Sequence, residues 1–356
     1  MEAINHQSDI TTLLLYWYSE HKRDLPWRET SDPYRVWLSE VILQQTRITQ
    51  GWDYYLRFVD HFPDVQSLAE AEEKEVLKLW QGLGYYTRAR NLHTAAKQIM
   101  SRFNGRFPTG YSDILSLKGV GTYTAAAVSS IAFDAPRAVV DGNVFRVIAR
   151  LFAVASPIDT TEGKKIISEI AQSLIDREHP GTYNQAIMDF GSLVCTPVQP
   201  KCMDCPLQPH CLAFQENRVS AFPVISHKTS VRERYFNYFH IEHENKTYIQ
   251  KRNGSDIWKN LYEFPLIETP APMDFLQLAQ TNAFQHLFPE TGLRSVDLRL
   301  TLRHQLTHQI IHTKFYRVMI SGESAFVPPD GLISIDKQHL SAYPVSRLTD
   351  KYMEII

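Results

Sequence analysis

The stretch Leu117-Lys118-Gly119-Val120-Gly121-Thr122-Tyr123-Thr124-Ala125 sets two glycines around a valine, between segments whose apolar residues recur at helical spacing. Glycine lacks a Cβ, so the chain can turn sharply there and point backbone N–H groups at an anion such as a phosphate. A phosphate-binding hairpin is one reading, and an ordinary helix–turn–helix connection is the other. Outward from this string, residues 8–192 read as successive helices broken at Gly and Pro. Ile10–Tyr18, Val36–Tyr55, Glu72–Trp80, Ala89–Met100 and Lys164–Ile175 carry the helical period, and Phe62-Pro63, Gly82-Leu83-Gly84 and Phe107-Pro108 interrupt it.

A chain of 356 residues with 44% hydrophobic content can bury a large core and suits two domains better than one. The formal charge of -2 neither requires nor excludes a nucleic-acid partner, because a local basic surface can coexist with a neutral total. The opening residues MEAINHQSDI lack a basic start followed by an apolar stretch, and no apolar run approaches a membrane span. A cytoplasmic protein with no membrane partner is expected. Residues 215–231 mix polar residues with Pro223 and show no period, which marks a connector and places a boundary near residue 225. Beyond it, Arg234–His243, Lys246–Lys251 and Thr313–Ile320 look like strands and Phe275–Leu287 like a helix, so residues 226–356 are expected to be α+β. No repeat or low-complexity tract is visible.

All four cysteines, Cys195, Cys202, Cys205 and Cys211, lie in one C-x6-C-x2-C-x5-C pattern stiffened by Pro197, Pro200, Pro206 and Pro209. Four soft thiolates in a cytosolic loop suit zinc or an iron–sulfur cluster rather than disulfides, and the residue types alone lean toward zinc as the commoner structural metal.

Two acids stand out. In Tyr34-Arg35-Val36-Trp37-Leu38-Ser39-Glu40-Val41-Ile42-Leu43-Gln44-Gln45-Thr46, helical spacing sets Glu40 on a stripe with Val36, Trp37 and Leu43. Poor solvation there raises a carboxyl's pKa towards neutrality and suits it to general acid–base work, although pairing with an arginine would serve equally well. Asp141, in Ala138-Val139-Val140-Asp141-Gly142-Asn143-Val144, sits between an apolar run and a new helix, either as a buried acid or as a turn or capping residue. Gly82-Leu83-Gly84-Tyr85-Tyr86-Thr87-Arg88-Ala89-Arg90 interleaves aromatic and basic residues, a composition that can stack on bases while touching phosphates or simply start a helix.

The cysteine spacing, the hairpin string and W-L-S-E-V-I-L-Q-Q-T together resemble the endonuclease III and MutY glycosylase family, from about Leu25 to Cys211 and more weakly to His308. The resemblance implies a mainly α helix-hairpin-helix glycosylase domain over residues 1–225 with an iron–sulfur cluster loop at 195–211, followed by an α+β Nudix (MutT)-like lesion-recognition domain over 226–356. It implies one 4Fe-4S cluster on Cys195, Cys202, Cys205 and Cys211, reversing the lean toward zinc. The activity implied is base-excision removal of adenine mispaired with 8-oxoguanine or guanine in double-stranded DNA, by a monomer of bacterial, nucleoid-associated type.

Residue by residue, the resemblance makes Glu40 the general acid and Asp141 the carboxylate that stabilises the cationic sugar. Asn143 would orient Asp141 or contact the sugar-phosphate. Gln45 would wedge into the duplex where the base has left, Gln185 would read the extruded adenine with Arg28 as a weaker aid, and Tyr85 would insert beside the oxidised guanine. Gly119 and Gly121 would hold a phosphate. Tyr123 stands where lyase members of the family carry a lysine, which implies a monofunctional hydrolase and opposes an endonuclease III-type lyase. Glu40 and Asp141 oppose a cluster-bearing DNA-binding protein without catalysis.

In the second domain, Trp258-Lys259-Asn260-Leu261-Tyr262-Glu263-Phe264-Pro265 is similar to the MutT-like segment of these proteins, with Asn260 in place of glycine. The glutamate-rich helix of an active Nudix hydrolase is missing from residues 226–356. Gln305-Leu306-Thr307-His308-Gln309 resembles the family's loop that checks for oxidised guanine, keeping Thr307 and His308 while Leu306 replaces the aromatic.

Overall fold

The computed structural model describes residues 2–226, 231–289, 293–320 and 327–356, with the backbone alone for residues 2–8 and 294. Residues 227–230 of the expected connector lie outside these. In chain order the helices are α1 (Glu2–His21), α2 (Pro33–Leu43), α3 (Ile48–His61), α4 (Val65–Glu70), α5 (Glu73–Leu79), α6 (Thr87–Phe103), α7 (Tyr111–Leu115), α8 (Thr122–Phe133), α9 (Gly142–Leu151), α10 (Thr161–Leu174), α11 (Pro180–Leu193) and α12 (Leu212–Gln215). The strands β1 (Arg232–His243), β2 (Lys246–Lys251), β3 (Tyr262–Glu263) and β4 (Leu266–Thr269) precede α13 (Phe275–Ala279) and α14 (Asn282–Leu287). β5 (Leu293–Gln305), β6 (Gln309–Ile320), β7 (Leu332–Asp336) and α15 (Arg347–Met353) complete the chain. Contacts gather these elements into two compact units, Met1–Glu70 with Asn91–Lys228, and Ala71–Arg90 with Thr229–Ile356.

The first unit is helical. α1 buries Ile10, Leu14, Trp17 and Tyr18, one face at helical spacing, in a core shared with Val144, Val147 and Ile148 of α9 and with Tyr183 and Phe190 of α11. Each fully buried large apolar side chain of this kind contributes about 1.5–3 kcal/mol. α8 is largely buried: its run Thr124–Ser130 is mostly alanine and serine, small enough for neighbouring helices to approach closely. α2 packs against α3 and α8 and is buried nearly all round, so Glu40 lies on an enclosed helix rather than on one apolar stripe.

The continuous helix expected over Val36–Tyr55 is two helices. α2 stops at Leu43, and Gln45 takes a left-handed conformation (φ 54°) before α3 starts at Ile48. No glycine or proline announces the break. Tertiary contact decides it, with the Gln44 amide donating to Thr124 Oγ1 of α8 at 3.1 Å.

The second unit is built on a mixed sheet in the order β3-β2-β1-β6-β5, with β4 also on β1 and β7 on β2. Among the described strand pairs, β1 and β6 run parallel and the others antiparallel. One face buries Phe239, Ile241, Tyr316 and Val318 beneath α13 and α14, and the other buries Phe236, Tyr238, Phe315 and Leu340 against Leu348 and Tyr352 of α15. The single helix expected over Phe275–Leu287 divides because Asp274 and Thr281 each cap a separate start, accepting from Gln277 N (2.8 Å) and Phe284 N (3.2 Å). Among the described residues no helix is long and apolar enough to cross a membrane.

Candidate active site

In the first unit, α2, α3, α8, α11 and the N-terminus of α9 enclose a cavity of about 490 Å3. Glu40, Tyr123, Asp141, Asn143, Gln185 and Arg28 all line it, so six of the residues singled out in the sequence meet in one place.

Glu40 is 8% exposed, and its Oε2 accepts from the Tyr123 hydroxyl at 2.6 Å. Burial pushes its carboxyl up to about 7 and the charge of Asp141 adds to this, while the Tyr123 hydrogen bond and Arg28 oppose the rise. The arginine partner that an ordinary buried glutamate would take is engaged elsewhere. Both terminal nitrogens of Arg28 bind Asp189, at 2.6 and 2.8 Å.

Asp141 caps α9. Its Oδ1 accepts from Val144 N and its Oδ2 from Asn143 Nδ2, each at 2.8 Å. Burial raises this carboxyl too, but those two donors favour the charged form and restrain the rise, so the two acids of one cavity have unlike surroundings. The cap is therefore Asp141 itself, and Asn143 sits in the first turn as its hydrogen-bond partner. Asn143 is held in turn by Arg146, whose Nη2 donates to Asn143 Oδ1 (2.9 Å) and whose Nε donates to the carbonyl of Cys195 (2.7 Å).

Gln185 accepts from the Tyr18 hydroxyl at 2.9 Å. It shares a cavity-facing side of α11 with Met188, Asp189 and Ser192, at positions i, i+3, i+4 and i+7. The sequence reading missed Asp189 and Arg23. The signal was there in the Asp of Ala186-Ile187-Met188-Asp189-Phe190, an acid inside an apolar helical run like Glu40.

Gln45 is exposed on the α2–α3 turn, adjoining Thr46 and Arg47 of the cavity wall. The hairpin string forms the tight turn that follows α7 and the first turn of α8, with Gly119 at φ 76°. A Cβ at Gly119 would stand 2.5 Å from Asn91 Cβ, so Gly119→Ala combines a clash with a disfavoured backbone. Urea denaturation should show it less stable by about 1–3 kcal/mol, and equal stability would mean that the turn does not need glycine.

The four cysteines line one small cavity with Arg150, which donates to the carbonyls of Thr196 (2.7 Å) and Pro197 (3.1 Å) and lies 3.5 Å from Cys195 Sγ. Burial, with the nearby Cys195, Cys211 and Cys202 sulfurs, pushes the Cys205 thiol up to about 12. Among the described residues, no three His, Cys, Asp or Glu side chains converge closely enough to hold one metal ion. Four thiols lining one cavity are a donor set that fits a thiolate-held metal centre, an iron–sulfur cluster included.

In the second unit, Tyr85 is 52% exposed at φ 47°, and its hydroxyl meets Thr307 Oγ1 at 2.8 Å. Thr307 and His308 are exposed at the tip between β5 and β6, whose turn closes through Leu306 N to Gln309 O at 2.8 Å. Leu306 packs down against the core cluster of Phe236, Tyr238 and Phe315. Asn260 adopts φ 67°, which asparagine tolerates better than most residues, and its amide donates to Glu73 Oε1 at 2.6 Å.

A carboxyl pair in a cavity beside a helical hairpin is an arrangement that can donate a proton and stabilise a developing positive charge. Residues 38–176 match the HhH-GPD superfamily base excision DNA repair protein model, and residues 237–354 match the NUDIX domain model. An adenine DNA glycosylase of Buchnera aphidicola subsp. Schizaphis graminum is 35% identical over 72% of this chain and 74% of that protein. Another, from Buchnera aphidicola subsp. Baizongia pistaciae, is 32% identical over 89% of each chain. The solved structure of a thermostable thymine-DNA glycosylase superposes with a TM-score of 0.57 at 29% identity, covering 61% of this chain and all of that one. The chain belongs to the adenine DNA glycosylase family and is a base-excision repair N-glycosylase.

Proposed function

We propose that this enzyme hydrolyses the N-glycosidic bond of adenine paired with 8-oxoguanine or guanine in double-stranded DNA, with Glu40 and Asp141 as its catalytic residues. The observation that carries the reading is that these two carboxyls line one cavity in unlike surroundings. A flipped adenosine would enter the cavity. Glu40, held neutral by burial, passes its proton to the purine ring as the C1′–N9 bond breaks and its electron pair leaves with the base. Asp141, kept ionised by Val144 N–H and Asn143, faces the cationic sugar. Water then adds to C1′ and gives a proton to the Glu40 carboxylate, restoring the starting state. Tyr123 donates to Glu40, and no amine stands at its position to form a Schiff base, which supports hydrolysis without strand cleavage.

Gln185 and Arg28 in the wall would read the base, Gln45 would fill the space it leaves, and the N–H groups of Gly119 to Gly121 would hold a phosphate. The four sulfurs would hold one 4Fe-4S cluster, which fixes the loop that follows α11. Residues 1–225 would serve as the catalytic domain and 226–356 as the lesion-reading domain of a monomer acting on the nucleoid in the cytoplasm.

Tyr85, Thr307 and His308 are the residues offered to the base opposite adenine, supported by the Tyr85–Thr307 hydrogen bond and the exposure of the tip. Single-turnover adenine release from duplexes carrying A opposite 8-oxoguanine, guanine, C and T tests the proposal. Release should be fastest with the first two, and Thr307→Val should narrow that preference by roughly tenfold, the value of one good polar contact. Equal rates from all four duplexes would refute the substrate assignment, and an unchanged ratio in Thr307→Val would refute the role of the tip.

A further inference from the structure

Asp189 is the one fully buried carboxylate in the wall of the candidate active site that the proposed reaction does not use. It binds both terminal nitrogens of Arg28 and also Nη2 of Arg23. Burial raises its carboxyl, yet the hydrogen bonds and charges of the two arginines outweigh this and hold it below the usual carboxylate range. It is therefore a fixed negative charge between two positive ones. Arg28 is further held against the ring of Tyr18, 5.7 Å from its centroid.

We propose that Asp189 is a positioning residue of the reaction: it holds Arg28 and Arg23 in the cavity wall and cancels one of their two charges, so that Glu40 keeps its proton at neutral pH. This deepens the reading of Glu40 as the proton donor and rests on it. The titratable and charged groups that line the cavity with Glu40 are Tyr123 from α8, Asp141 from the start of α9, Arg28 and Arg23 from the segment between α1 and α2, Asp189 from α11 and Arg47 at the start of α3. Of these, Arg28 acts directly on Glu40 and favours its charged form. A guanidinium without a counter-charge in a poorly solvated cavity acts more strongly than one neutralised by a bidentate carboxylate. Removing the Asp189 charge leaves two uncompensated cations, which stabilise the Glu40 carboxylate and deprive the reaction of its acid. The sign is definite: the alkaline limb of the rate profile moves to lower pH.

The test is single-turnover adenine release from an 8-oxoguanine:A duplex between pH 5.5 and 9, using the full chain and its Asp189→Asn, Arg23→Gln/Asp189→Asn and Glu40→Gln variants. Asp189→Asn should shift the alkaline limb down by about one pH unit, with roughly tenfold loss on that limb and little loss at the acid end. The double variant removes one of the two unpaired cations but leaves Arg28 without its carboxylate, so it should bring the limb part of the way back. A uniform loss at every pH with the limb in place, or no recovery in the double variant, would show a merely structural residue and overturn the proposal. If Asp189→Asn does not fold, Arg23→Glu alters the same network from its more exposed end and must move the limb upward; an unmoved limb overturns the proposal equally. Wild-type rates in Glu40→Gln would instead overturn the assignment of the acid, a failure that the other variants do not mimic.

Discussion

Glu40→Gln will lower the single-turnover rate of adenine release by about 10³-fold and, at pH 8, make the protein more stable than the wild type. Both effects follow from one environment. Burial raises the Glu40 pKa from 4.5 to about 7, so the folded state binds a proton more tightly than the unfolded chain does. Between those values the native state holds the extra proton, and stability falls as pH rises through the interval. Above pH 7 the folded protein bears a buried carboxylate at a cost of up to about 3 kcal/mol, which a neutral amide removes. Glutamine still offers Tyr123 an acceptor. The stabilisation should be present at pH 8 and absent at pH 4, as read from melting temperatures at the two values. A variant that is inactive without this pH-dependent gain would mean that Glu40 is not a desolvated acid.

Asp141→Asn supplies the contrast. Asparagine also caps helices, so α9 keeps its start and stability changes little, while the rate falls through loss of the charge that faces the sugar. Measurable turnover at the wild-type rate would remove Asp141 from the mechanism.

The second large effect is expected at the cysteines. Cys202→Ser should abolish the visible absorbance and iron content of the purified protein and destabilise the helical unit enough to lower its melting temperature by more than 10 °C. Binding free energy for a structural metal centre is folding free energy, of order 10 kcal/mol in small metal-folded domains. The loss should also reach the candidate active site. Arg146 ties the carbonyl of Cys195 to Asn143, and Asn143 binds Asp141, so a loosened loop frees the carboxylate from its donor. A Cys202→Ser protein with wild-type stability would exclude a centre held by these four sulfurs.

How much of this was legible in the chain depends on whether the deciding interaction was local. The cysteine spacing, the hairpin glycines and the acids in Leu38-Ser39-Glu40-Val41 and Val140-Asp141-Gly142 are local patterns, and each shows the residue types of its chemistry without coordinates while leaving a structural alternative open. Asp189 carried the same local sign as Glu40 and passed unnoticed, because an acid in an apolar helix has no meaning until its partner is known. That partner, Arg28, is 161 positions away. The sheet of the second unit also holds a strand that the sequence reading missed although its sign was local. β5, the longest strand, alternates Asp297, Arg299, Thr301 and Arg303 with Leu298, Leu300 and Leu302, and its register comes from pairing with β6.

By itself, then, the sequence displayed the helical period, much of the turn chemistry, the clustered thiols and the two acids proposed as catalytic, since all of these reside within a few neighbouring residues. Only the tertiary structure decided that α2 ends at Leu43, that Tyr123 rather than an arginine meets Glu40, and that Asn143 links Asp141 to the cysteine loop. The reason is physical: solvation and pairing of a charge depend on which distant segments exclude water from it, and packing alone brings those segments together.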